Sequence, residues 1–167
     1  MPTELKGANA LRKALKEFSP DLDQETREEM VGFLKPLIKK ARGFLPFNGD
    51  MPSGFVGTSE AGRFPKYDAS IARRGVGYKL TPTKPNRQGW IQTVSIHNKT
   101  AGGVIYEWAG RKSSSKFVSN LPGTMAGSGK MQGRALFKAY KEDEGKAKVG
   151  VIKALEKAAA KFNAKGI

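Results

Sequence analysis

No cysteine occurs in this chain, which excludes disulfides, zinc–thiolate centres and thiol nucleophiles from the outset. Histidine occurs once, as His97, so a histidine metal cluster or a catalytic triad would need that one ring plus distant carboxylates. Acids are sparse through the middle of the chain. Glu107 stands alone between Asp68 and Glu142, and no carboxylate pair local in sequence is set up for acid–base work. These shortages argue against an enzyme and against a bound cofactor or metal. There is also no run of about 18 apolar residues, and Met1-Pro2-Thr3-Glu4 lacks the basic-then-apolar order of a secretion signal. The expectation is a soluble protein made in a cytoplasm, with no membrane among its partners.

What the chain has in excess is positive charge. Lys and Arg total 30 against 15 Asp and Glu, a net charge of +15. The excess is +2 over residues 1–45, +8 over 46–133 and +5 over 134–167. Such a field favours polyanions or acidic protein surfaces and speeds encounter with them, without choosing between the two. With 167 residues, 38% of them hydrophobic, the chain suits one domain over 1–167 with its own core and is too apolar for wholesale disorder.

Residues 4–45 read as helical. Leu11, Leu15 and Phe18, with Ala8 and Ala14, form a short stripe that Ser19-Pro20 ends. A second helix is expected from Asp21, with Gln24 completing a capping box. Met30, Phe33, Leu37, Ala41 and Phe44, flanked by Leu34, Ile38 and Leu45, give it a wide apolar face that Pro36 should bend. Its early acids and late bases suit the helix dipole.

Residues 46–66 lose all periodicity and are rich in Gly and Pro, with Phe47, Phe55 and Phe64 scattered among them. Aromatic rings in so long a loop suggest docking on a partner; their folding back on the core is the alternative. Residues 67–110 read as a strand-rich core. A short helix at 67–74 leads into a strand at 76–80, and the turn-rich 81–89 connects it to a second strand at 90–98 with Trp90, Val94 and Ile96 on one face, a long-looped hairpin with one face buried; 101–109 reads as a short helix, with a strand as the alternative. Residues 111–133 form a second Gly- and Ser-rich loop. Beyond it, residues 134–140 read as a strand or the start of the last helix, with the strand preferred. A clear C-terminal helix covers 143–163, supported by Glu142–Lys146 and Glu144–Lys148 pairs.

The stretch Gly123 to Met131 resembles a phosphate-binding loop until its positions are counted. Thr124 stands where the first glycine is required, and Met131 follows Lys130 where a magnesium-binding hydroxyl is required. Small basic clusters at Arg73-Arg74, Lys84 to Arg87 and Arg111 to Lys116 could contact phosphates, with Tyr67, Trp90 or Trp108 as stacking surfaces. No helix-turn-helix, zinc finger or RNA-binding aromatic signature accompanies them. A basic nucleic-acid-binding module is therefore the alternative reading.

Several motifs recur in a familiar order: Gly7 to Leu15, a long helix finishing in Ala41-Arg42-Gly43-Phe44-Leu45-Pro46, then Pro52-Ser53-Gly54-Phe55, and later Gly103-Val104-Ile105-Tyr106-Glu107-Trp108-Ala109-Gly110-Arg111. That order resembles the minor neck proteins of long-tailed phages, also called tail-completion or head–tail joining proteins, especially those of phages infecting actinobacteria. The resemblance spans most of the chain, which departs from shorter members by its loops at 46–66 and 111–133. It implies a structural virion protein of the connector, acting by assembly. The implied partners are other phage structural proteins at the junction, on the portal, adaptor or stopper side or on the tail-terminator side. It further implies self-association into a ring and non-specific contact with DNA.

The expected fold is α+β, with N-terminal and C-terminal helices packed on a small antiparallel sheet and two long Gly-rich loops. The expected protein-interface residues are Phe47, Phe55 and Phe64 in the first loop and Tyr106, Glu107 and Trp108 at the corner. Arg73, Arg74, Arg111, Lys112 and Lys116 are the expected electrostatic contacts.

Overall fold

Residues 7–59, 65–112 and 114–165 are described by the computed structural model. Helix α1 (Ala8–Phe18) and helix α2 (Pro20–Gly43) are separated by Ser19 alone. Pro20 occupies the first helical position, where its missing N–H leaves nothing unpaired, so α2 opens one residue before the expected Asp21. The Gln24 side chain donates along the helix to Glu28 at 3.0 Å, an i, i+4 pair in place of the expected capping box. Met30, Leu34, Leu37, Ile38 and Ala41 are buried as the periodicity requires, whereas Phe33 and Phe18 stay exposed.

Helix α3 (Ala69–Gly75) starts where the Asp68 carboxylate accepts the Ile71 amide at 2.9 Å. Strands β1 (Val76–Lys79) and β2 (Ser95–Asn98) then pair as a two-stranded antiparallel sheet. Helix α4 (Ala101–Trp108) is capped by the Thr100 hydroxyl, and α5 (Lys116–Ser119), α6 (Leu136–Glu142) and α7 (Lys146–Ala164) complete the chain. Helices with one small antiparallel sheet make the fold α+β, as expected.

Three local expectations are corrected. Residues 134–140 are not a strand: α6 forms there because a buried carboxylate, Glu107, gathers the first amides of a helix. The second strand starts at Ser95, because residues 90–92 belong to an exposed arm. The last helix starts at Lys146, after Glu144 (φ 53°) and Gly145 (φ 80°) reverse the chain. The residue pairs 142/146 and 144/148 therefore straddle a turn, and Glu142 meets Lys40 instead at 2.9 Å.

The chain packs as two compact units whose division falls inside α2, directly after Pro36. Unit one is Met1–Pro36, Lys79–Ser95 and Gly145–Ile167; unit two is Leu37–Tyr78 and Ile96–Glu144. In unit one, Ala8, Met30, Ala154 and Leu155 form a buried cluster covered by Leu80, Val94 and Val151. A second cluster of Leu15, Leu22 and Ala158 is covered by Leu11 and Phe162. Ion pairs from Lys157 to Glu29 at 3.0 Å and from Lys161 to Glu25 line the α2–α7 seam, but they lie in solvent, which screens them, so burial of the apolar clusters holds the seam. Unit two buries Leu37, Leu45, Met51, Phe55, Tyr67, Val76, Tyr106, Leu121 and Ala139.

Contact between α7 and α2 is close at Gly150, where an added Cβ would lie 2.3 Å from the Phe33 ring. Helix propensity favours alanine there by about 1 kcal/mol, while overpacking costs about 1–3 kcal/mol. Packing should win. Gly150→Ala is expected to lower the thermal midpoint, and the same change in a Phe33→Ala background is expected to be neutral or stabilising. A stabilising Gly150→Ala in the native background would refute the contact.

Candidate interaction surfaces

Two helix ends in unit two are tied together by opposite charges. Glu107, near the end of α4 and only 3% exposed, accepts the amides of Ala135 at 2.7 Å, Leu136 at 3.0 Å and Phe137 at 3.0 Å. These are the amides a helix start leaves unpaired, and the carboxylate also meets the positive end of the α6 dipole. Arg134 returns the exchange: its guanidinium donates to the carbonyls of Tyr106, at 3.1 Å, and Ala109 at the end of α4. Burial lowers the Arg134 pKa from its ordinary value, opposed by Tyr106 and Glu107. The approach needs Gly133, since a Cβ there would stand 1.9 Å from a Glu107 oxygen.

Tyr106 is equally buried, and its hydroxyl donates to the Pro122 carbonyl at 3.1 Å. Tyr106 and Glu107 therefore hold the corner from inside, and of the expected corner trio only Trp108 faces out, 51% exposed. The Arg111 guanidinium lies 4.8 Å from the Trp108 ring centroid and 5.1 Å from that of Phe137, while its Nε donates to the Gln132 carbonyl at 2.6 Å.

The loop aromatics divide in the same way. Phe47 is 65% exposed, and Arg73 stacks over its ring at 4.2 Å while donating to the Leu45 carbonyl at 2.7 Å. Phe55 is turned inward, contrary to the expected loop anchor, with Tyr67 at 5.9 Å and Phe117 edge-on at 5.2 Å. It is held there because the loop pairs with residue 67: the Tyr67 amide donates to the Phe55 carbonyl, and the Gly57 amide to the Tyr67 carbonyl. Phe64 lies outside the described residues. Arg74, Lys112 and Lys116 are exposed. Phe55 and Phe117 also line an open apolar recess of about 520 Å³ with Pro52 and Ile105.

In unit one, residues 81–92 are exposed without a break yet regularly hydrogen-bonded. The Thr83 amide donates to the Gln92 carbonyl and the Asn86 amide to the Trp90 carbonyl, each at 3.0 Å; the Asn86 side chain accepts the amides of Gln88 and Trp90 at 2.9 Å. The result is a hairpin arm displaying Lys84, Arg87, Trp90 and Ile91. One buried guanidinium, Arg12, grips its base by donating to the carbonyls of Leu80 and Thr93. The turn-rich 81–89 is legible as the loop of a hairpin, marked by Asn86 and Gly89 flanking a turn; the exposure of residues 90–92 is not, because Trp90, Val94 and Ile96 alternate like a buried strand face.

Among the described residues, no helix is long and apolar enough to cross a membrane, and no group of three His, Asp or Glu is placed to hold a metal ion. His97 sits on β2 beside Gly77 of β1.

Replacing the Glu107 carboxylate by an amide would remove the charge and point N–H groups at N–H groups. Glu107→Gln should cost roughly 3 kcal/mol, or roughly 10 °C in thermal midpoint for a chain of this size. Faster hydrogen exchange should be confined at first to the amides of residues 135–137; unchanged exchange there would refute the cap.

Tyrosine ionisation supplies a pH test. Burial pushes the Tyr106 hydroxyl up to about 12 and raises that of Tyr67 as well. The folded state thus holds these protons more tightly than the unfolded chain, whose tyrosines titrate near pH 10. Their stabilising contribution is complete below about pH 10 and falls as pH climbs toward about 12. Denaturant midpoints measured across that window should decline, and less steeply in Tyr106→Phe.

Comparison with family models, with curated proteins and with solved structures finds no match to this chain.

Proposed function

We propose that this chain is a structural component of the head–tail junction of a long-tailed phage particle, acting by protein–protein assembly. The observation that carries the reading is the pairing of exposed aromatic rings with arginines anchored to backbone, Phe47 with Arg73 and Trp108 with Arg111. Aromatic residues and arginine are the types that dominate binding energy at protein interfaces. Here the arginines are held in place before any partner arrives, which lowers the ordering cost of association. The motif order from Gly7 to Arg111 supports placement at the neck, in several copies within the virion, against portal-side or tail-side neighbours. No chemistry is required of it.

The net charge of +15 and the basic arm favour a second reading, a nucleic-acid-binding module. That reading requires DNA or RNA affinity that stays micromolar or better near physiological salt and falls steeply as salt rises.

Particles made without this protein should accumulate as filled heads and separate tails in electron micrographs. Supplying Phe47→Ala/Trp108→Ala should leave the fold intact and the parts unjoined, because both rings are exposed. Normal joining in its absence, or absence of the protein from mature particles, would sink the assignment.

A further inference from the structure

Unit one carries two exposed surfaces of opposite character. The arm has Lys84 and Arg87, no acid anywhere in residues 79–95, and two apolar side chains in solvent, Trp90 at 44% and Ile91 at 40% exposure. The outer side of α2 is acidic: Asp21, Gln24 and Glu28 are exposed and recur at spacings of three and four, as one stripe of a helix. Exposed Glu17 and Phe18, the latter at 56%, stand at the adjoining end of α1. Asp23 is paired with Arg27, and Glu25 and Glu29 with lysines of α7, whereas Glu28 accepts from the uncharged Gln24 amide and keeps its charge uncompensated by that contact.

We propose that the arm of one copy docks on the acidic stripe of a second copy, with Lys84 and Arg87 facing Asp21 and Glu28, and Trp90 and Ile91 covering Phe18. The inference rests on the assembly reading above and names the surfaces through which one copy of the chain would meet another. Charge complementarity selects the occupant. A chain of net charge +15 repels its own copies, so a self-contact is favoured where exposed acids meet bases, and the arm is an acid-free, basic element exposed throughout residues 81–92. The arm does not fill this stripe in its own copy, since residues 81–92 are all exposed. Exposed Ile91 fits a protein partner better than a nucleic acid, because an aliphatic side chain offers bases no stacking face. Two cations would also neutralise few phosphates. Arm and stripe are different patches of one molecule, so every copy gives one contact and receives one, a head-to-tail geometry that closes into a ring or extends as a chain.

The test is sedimentation velocity on the full chain at low and high salt, with circular dichroism confirming the fold of each variant. The native chain should self-associate at low salt and less at high salt. Arm reversal, Lys84→Glu/Arg87→Glu, and stripe reversal, Asp21→Lys/Glu28→Lys, should each weaken association by about tenfold or more. Mixing the two variants should restore it, since the acidic arm then meets a basic stripe and the reverse. A photo-crosslinking residue in place of Trp90 should join the α1–α2 junction of another copy. A native chain that stays monomeric at every concentration overturns the proposal, as does association indifferent to both reversals or a crosslink elsewhere. Loss of DNA binding on arm reversal, with self-association unchanged, assigns the arm to nucleic acid instead. None of these outcomes decides whether the protein belongs to the particle, which unjoined heads and tails report separately.

Discussion

Glu107 and Arg134 exchange charge between the end of α4 and the start of α6, and the rest of unit two is arranged around that exchange. Burying two ions is costly in isolation. Here each one satisfies backbone groups that a helix terminus would otherwise leave bare: three amides for the carboxylate, two carbonyls for the guanidinium. The two residues are 27 positions apart, so the exchange also closes the intervening loop. Gly133 lets the carboxylate approach, the Ala126–Gly133 bridge sits against it, and Arg111 ties its own end to Gln132.

The same closure decides what reaches the surface. With Tyr106 and Glu107 committed inward, Trp108 at the end of the same helix is left facing water, and Arg111 one turn on lies against it. Phe47 and Arg73 repeat the pattern from a different pair of elements, with the arginine again fixed by a backbone carbonyl. Anchoring cations from below and showing rings above yields stiff contact points in otherwise irregular chain. The arm of unit one is stiffened differently, by two main-chain hydrogen bonds across it and by the Asn86 side chain.

Legibility in the sequence followed the range of the forces involved. The helical stripes of α1, α2 and α7 and the first strand depend on neighbours a few residues away, and all could be read. Residues 134–140 could not, because Ala135, Phe137 and Ala139 alternate like a strand while the carboxylate that makes them helical is 28 to 30 positions earlier. Glu107 stands out in the sequence by its isolation, but its burial depends on Arg134 and Gly133, which carry no local signal. Phe47 and Phe55 look alike in sequence; only the pairing of the loop with Tyr67 sends one outward and the other inward.

Arg12 holds the hairpin through main-chain oxygens at residues 80 and 93, so its grip reads the path of the chain and not the side chains that project from it. Root and tip are thereby uncoupled. Residues between those two carbonyls can be exchanged for another turn of equal length without loosening the foothold, which makes this protein a natural frame for displaying a grafted recognition loop.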